Sequence, residues 1–225
     1  GLFGKIKGKT KHLIESVKAF INNRLDKCVS LNQIIPNYPQ ELFECFGFKE
    51  EPKERTFYRD LERIGLHYKF VIEEYHKLIK KFNLVDKEQF VDFSSAYFEG
   101  EKAELGALGY SRDNQPGKKQ VTFGVSTGMN GVPSSFTIQK GNICDKTHFK
   151  FMLKIAHKVF EKDSMIIFDC GGNTEENKQK IIELGFNYLT LKPRQRSVYK
   201  KYVELYKKFH IQENSIFVYH FLDYQ

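Results

Sequence analysis

From Glu88 onward the hydrophobic period of the chain changes, and the order of the segments beyond that point leaves few folds open. Three segments, EQFVDFSSAYF, KKQVTFGVSTG and VPSSFTIQKG, are rich in β-branched and aromatic residues and bounded by Gly or Pro, the pattern of strands. The last two are expected to pair as a hairpin around MNG. Asp145 is the expected cap of a helix that turns Phe149, Met152, Leu153, Ala156 and Phe160 inward and delivers the chain to the strand SMIIF. A further helix, capped by Thr174, carrying Ile181, Ile182 and Leu184 and stopped at Gly185, leads to the strand NYLTLK. Three strands in a meander, then helical crossovers to strands parallel to the first, specify an α/β fold: a mixed sheet with helices on its faces.

Residues 1–86 carry a helical period instead. Thr10 is expected to cap a helix with Leu13, Ile14, Val17, Phe20 and Ile21 on one face, followed by a loop over IIPNYP. The segment PKERTFYRDLERIG predicts a second helix with Phe57, Leu61 and Ile64 inward and Arg55, Arg59 and Arg63 beside them. A third is expected over 67–82, where Val71, Tyr75, Leu78, Ile79 and Phe82 form a stripe. Short helices with an Arg-bearing middle member resemble a helix-turn-helix, and compact three-helix packing without DNA is the equally open alternative.

The 225 residues bound the chain to one large domain or two small ones. A net charge of +8 and a pI near 9.1 suit an anionic partner such as nucleic acid. Cys28, Cys45, Cys144 and Cys170 lack C-x-x-C spacing, which argues against a zinc cluster or a disulfide framework and fits a reducing cytosol. No apolar run reaches the roughly 18 to 20 residues of a membrane span, so no membrane partner is expected. The opening GLFGKIKGKTK lacks the apolar region of a secretory signal, and the first residue is not Met.

Two lone acids stand out. Asp169 follows the strand SMIIF and precedes two glycines, at the carboxyl end of a parallel strand, where ligands gather in such sheets. Asp92 lies in the first strand, and if that strand neighbours SMIIF the two carboxylates face each other across one strand spacing, about 4.8 Å. Carboxylates that close repel unless a cation sits between them, and Mg²⁺ prefers such oxygen ligands. A pair of such ions activates a water or hydroxyl and stabilises the leaving oxygen of a phosphodiester. The structural alternative is also open, since an Asp after a strand often caps a helix or makes a turn.

Five blocks in order, DFSSAYFEG, LGYSRDNQPGKKQVTFGVSTG, TIQKGNICDKTHF, IIFDCGGNTEEN and YLTLKPR, resemble the DDE transposases of prokaryotic insertion sequences, in particular the group with a Tyr-Arg-Glu-Lys signature. The resemblance covers about residues 88 to 200. It implies a ribonuclease H-like catalytic domain over 87–208, with Asp92 and Asp169 as catalytic residues and ligands of Mg²⁺ (or Mn²⁺). It implies double-stranded DNA, both element ends and target, as partner, with self-association on DNA, in a cytoplasmic protein associated with the chromosome. It also implies a third acid, a glutamate after a β insertion. Neither Glu204 nor Glu213 matches that position, so 209–225 is expected to begin the insertion and the chain to be a fragment or decayed product lacking one ligand.

Candidate phosphate contacts are Arg112, Lys118 and Lys119 in the long connection after the first strand, and Lys192, Arg194 and Arg196 at the start of a basic run interleaved with tyrosines. Cys170, beside the second acid, is expected to be a small buried residue, and Gly171 and Gly172 to let the backbone approach metal and DNA closely. The reading is a transposase that nicks element ends and joins the freed 3′ hydroxyl to target DNA, residues 1–86 recognising the ends. Its alternatives are an inactive DNA-binding remnant and a helix-turn-helix transcription regulator.

Overall fold

The computed structural model describes residues 2–6, 11–100, 102–110, 114–191, 200 and 204. The expectations placed on Thr10, Arg112, Lys192, Arg194, Arg196 and nearly all of 192–225 lie outside these residues.

Five helices precede the sheet: α1 (Leu13–Leu25), α2 (Leu31–Asn37), α3 (Gln40–Phe46), α4 (Glu54–Leu66) and α5 (Tyr68–Lys81). The segment read as a loop around IIPNYP needs correction in part: IIPN lies in α2, with Pro36 one residue before the helix ends, while Tyr38 and Pro39 link α2 to α3. Without an N–H, Pro36 cannot bond back to the Asn32 carbonyl, so it weakens the last turn of a helix that is only seven residues long. Ile34 of α2 and Phe43 of α3 join Ala19, Tyr38, Phe48 and Phe57 in one apolar cluster.

Helix α1 also differs from its expected face. His12 occupies its N-cap position without a side-chain bond, Leu13 and Val17 are buried, and Ile14 and Ile21 are exposed. The buried face includes Ser16, whose hydroxyl donates to Asp60 Oδ2 on α4 at 2.6 Å. On α4 the inward face is accordingly Phe57 and Asp60, while Leu61 faces solvent. A buried carboxylate needs such a donor, and that pairing sets the rotation of both helices.

The sheet follows the expected order. Strands β1 (Glu88–Tyr97), β2 (Gln120–Thr127), β3 (Pro133–Lys140), β4 (Met165–Phe168) and β5 (Asn187–Thr190) lie side by side as β3-β2-β1-β4-β5. β1–β2 and β2–β3 are antiparallel; β1–β4 and β4–β5 are parallel. The hairpin turns through Met129 and Asn130, with Gly131 at φ +73°, a left-handed conformation that glycine adopts without strain. Asp86 fixes the turn, accepting at Oδ2 from the Asn130 N–H at 2.9 Å.

Helices α6 (Asp145–Val159) and α7 (Glu175–Glu183) supply the crossovers. The expected inward residues of α6, Phe149, Met152, Leu153 and Ala156, are all buried, with Phe160 just beyond its end. They pack on Val91, Phe93, Ile166 and Phe168 of the sheet, and Ile79 of α5 joins the same cluster. Each such side chain contributes about 1.5–3 kcal/mol of apolar burial. Thr174 caps α7 as expected, its Oγ1 accepting from the Asn177 N–H at 3.2 Å, and Gly185 at φ +78° follows the helix end. Ile182, expected inward, is exposed, while Ile181 fills that place.

Candidate active site

The parallel pairing of β1 and β4 sets Val91 opposite Phe168, both buried in the sheet's core. One residue further along each strand stand the two predicted acids, Asp92 and Asp169. Strand alternation takes Asp92 off the core face, and Asp169 lies just past the last residue of β4; both are exposed. Each carboxylate is held from its own backbone. The Phe93 N–H donates to Asp92 Oδ1 at 2.8 Å, and the Gly171 N–H donates to Asp169 Oδ1 at 2.9 Å. The Thr190 hydroxyl of β5 donates to the Asp169 carbonyl at 3.1 Å, tying the strand end to its neighbour.

A further carboxylate, that of Asp145, approaches Asp169. A β-carbon on Gly171 would sit 2.9 Å from Asp145 Oδ2 and 3.0 Å from Asp169 Oδ1, so glycine keeps open a cradle between the two side chains. Asp145 is therefore not the cap it was expected to be: Cys144 occupies the N-cap position, and Asp145 is the first residue of α6. The strand order carried a signal for this placement. A helix leading into a parallel strand runs back along it, and its first turn lies at that strand's carboxyl end.

The two glycines divide their work. At Gly172 an added β-carbon would meet Phe149 Cδ2 at 2.9 Å and Phe168 Cδ2 at 3.0 Å, so this residue lets two core rings pack beneath the loop rather than admitting a ligand. Those rings stand 4.5 Å apart between centroids. Cys170 is exposed, a correction to its expected burial, because it sits on the loop between strand end and helix where the chain leaves the core. Cys144 is exposed as well, and the Thr147 hydroxyl and N–H hold its thiol below the ordinary value.

Of the predicted phosphate contacts, Lys118 and Lys119 are among the described residues. Lys118 is partnered within the chain: its Nζ is 2.6 Å from Glu99 Oε1 and lies 4.8 Å from the centre of the Tyr97 ring. Its neighbour Lys119 is half-buried and accepts at its carbonyl from the Phe98 N–H at 2.8 Å. The pair closes the long connection back onto the end of β1.

Among the described residues no group of three or more His, Cys, Asp or Glu side chains is disposed to hold a metal ion. The donors at the cradle are carboxylate oxygens, the chemistry that Mg²⁺ and Mn²⁺ select, and these ions keep several waters when one or two carboxylates hold them. The residues present thus fit such an ion.

No protein-family model and no curated protein matches the chain. Among solved structures it is similar to the piggyBac transposase synaptic complex with hairpin DNA, at 8% identity over 91% of this chain and 45% of that chain, with a TM-score of 0.50. It is also similar to the simian T-cell lymphotropic virus intasome in complex with PP2A regulatory subunit B56 gamma, at 14% identity over 60% of this chain and 45% of that one (TM-score 0.33). The Mos1 mariner paired end complex with Mn shares 11% identity over 91% of this chain and 74% of that one (TM-score 0.32). The chain spans under half the length of the piggyBac and intasome chains it matches. At such identities the likeness is one of fold, and the piggyBac comparison carries it. The mixed five-stranded sheet with its preceding helices is an α/β fold, and the likeness to the piggyBac transposase structure is one of that fold.

Proposed function

We propose that this chain is the metal-dependent, DNA-cleaving core of a transposase of the DDE type. The observation that supports it most is the β1–β4 register, which pairs Val91 with Phe168, the residues that directly precede Asp92 and Asp169. In this reading Asp92 and Asp169 would hold Mg²⁺ or Mn²⁺, with Asp145 a further carboxylate across Gly171 from Asp169. The bound ions supply Lewis acidity for hydrolytic nicking of a phosphodiester and for attack by the freed 3′ hydroxyl. The chain's own residues fix the donors: backbone N–H groups of Phe93 and Gly171 orient the two carboxylates, and Gly171 leaves the approach open. In this reading residues 87–208 form the catalytic unit, 209–225 begin an insertion, and 1–86 recognise the element ends in double-stranded DNA on which copies self-associate. Arg112, Lys118, Lys119, Lys192, Arg194 and Arg196 serve as phosphate contacts in this reading.

The test is nicking of supercoiled plasmid by the purified chain in Mg²⁺ or Mn²⁺. Activity in the wild type that disappears in Asp92→Ala and in Asp169→Ala supports the proposal, and nicking that survives either change overturns it. Metal-independent DNA binding without any nicking would instead mark a DNA-binding remnant. The regulator reading predicts sequence-specific binding indifferent to metal and to both aspartates; here α4 and α5 are joined by His67 alone, shorter than the three- to four-residue turn of a helix-turn-helix.

A further inference from the structure

A groove of about 410 Å³ runs between α5, the edge strand β3 and α6. Its walls join exposed aromatic residues and lysines. Tyr68, Phe136 and Phe151 line it with their rings 50%, 37% and 37% exposed. Lys69, Lys154 and Lys158 line it too, against a single acid, Glu73. The Lys154 ammonium lies 5.3 Å from the centre of the Phe151 ring, which places cation and aromatic face in one patch. Lys80 closes the far end, its Nζ donating to the Lys158 carbonyl at 2.6 Å. Burial, together with the Lys80 and Lys158 cations, holds the His76 imidazole in the groove wall below its ordinary 6.5, while Glu73 pulls the other way. At neutral pH the groove's positive charge is thus carried by lysines.

The groove is not isolated from the candidate site. Lys146, Lys150, Lys154 and Lys158 recur every fourth residue along α6, all exposed, and α6 bears no acid after Asp145. Four-residue spacing keeps side chains on one helix face and the rise is about 1.5 Å per residue, so the ridge covers roughly 18 Å. It begins beside Asp145, at the Gly171 cradle, and ends in the aromatic groove. Glu176 pairs with Lys150 at 2.6 Å and neutralises one step of the ridge, leaving the groove end the more positive.

We propose that this groove binds single-stranded DNA, the strand running from the candidate active site along the α6 lysine ridge, its bases stacking on the exposed rings. The proposal rests on the reading of the chain as a DNA-cleaving protein. Charge alone would suit a duplex backbone or an acidic peptide. The half-exposed aromatics decide for a single strand, because only unpaired bases offer faces for stacking, and stacking plus a cationic track is the recurring chemistry of single-strand binding. An acidic peptide would use the lysines and leave the rings without a planar partner.

The experiment is fluorescence anisotropy of the full chain with labelled oligothymidylate, and with a duplex of equal length, over a salt series. Phe151→Ala, which removes a surface ring, is expected to weaken oligothymidylate binding about tenfold and leave duplex binding unchanged. Lys154→Glu is expected to weaken single-strand binding and lower the salt dependence. Thermal melts check that both variants fold; should Phe151→Ala melt early, Tyr68→Ala tests the same ring contact on α5. Oligothymidylate affinity unaltered in a folded ring variant overturns the proposal, as does equal loss of duplex and single-strand binding. Displacement of oligothymidylate by polyglutamate at equal charge overturns it too. The nicking assay stays separate: loss of nicking in wild type with ring-dependent strand binding retained sinks the cleavage reading and spares the groove, and the reverse spares the cleavage reading.

Discussion

Val91 of β1 and Phe168 of β4 are register partners on parallel strands, buried side by side, and each is followed by an aspartate. Two core residues therefore fix where two exposed carboxylates stand. Their burial makes the register costly to shift, because a slip of one residue would turn Val91 to solvent and Asp92 into the core. Binding chemistry at the surface is set by packing beneath it.

The two acids should be separable from stability. Asp92→Asn and Asp169→Asn change exposed side chains, and each is expected to alter folding stability by no more than about 0.5 kcal/mol. Each is also expected to abolish Mn²⁺ binding followed by electron paramagnetic resonance. Retained Mn²⁺ affinity in both variants would show that the ion, if bound, sits elsewhere.

Adjacent glycines are expected to answer differently to the same change. Gly171→Ala places a methyl group against Asp145 and Asp169, whose carboxylates can swing aside, so the melting temperature should hold while Mn²⁺ affinity falls. Gly172→Ala drives a methyl into the rings of Phe149 and Phe168 and should destabilise the fold by about 1–3 kcal/mol in urea unfolding. Equal destabilisation by both would contradict this division.

Asp60 makes stability depend on pH. Burial raises its carboxyl above the ordinary 3.8, outweighing the Ser16 hydroxyl bond and the nearby His12 and Arg59 charges that lower it. A raised value in the folded state means that the stabilising contribution is full below 3.8 and is lost as pH climbs through the raised value. Asp60→Asn keeps an acceptor for Ser16 and cannot ionise. Its melting temperature relative to wild type should rise with pH across that window and then level off; a difference that shrinks with pH would reverse the sign.

Ser126 holds a buried polar knot on the sheet, with its Oγ 2.8 Å from Ser134 Oγ and 2.6 Å from Ser135 Oγ. Ser135 in turn donates to Met152 Sδ of α6 at 2.8 Å. Ser126→Ala leaves the partner hydroxyls short of one bond and is expected to cost about 1–3 kcal/mol by chemical denaturation. A neutral result would mean that the remaining hydroxyls satisfy each other.

The strand order was legible because it rests on local patterns: alternation, turn residues, and inward faces such as Phe149, Met152 and Leu153. The helical unit was less so. An amphipathic helix advertises a stripe, yet Ile14, Ile21, Leu61 and Ile182 belong to such stripes and still face solvent, because the partner helix decides which part of a wide apolar arc is covered. The IIPN part of the IIPNYP segment is helical because a proline near the end of a short helix costs only one bond in its last turn. Asp145 was read as a cap since capping is local, whereas its nearness to Asp169 is a contact across the sheet's end.

Over residues 88–190 the amino-acid sequence by itself determined the element types, their order and the parallel sense of the late strands, since each follows from short-range periodicity and the handedness of crossovers. Tertiary structure alone decided which carboxylates share a cradle, which of two glycines guards it, and which lysines and rings border one groove. Those relationships join residues far apart in the chain, and only packing at fixed register brings them within reach of one another.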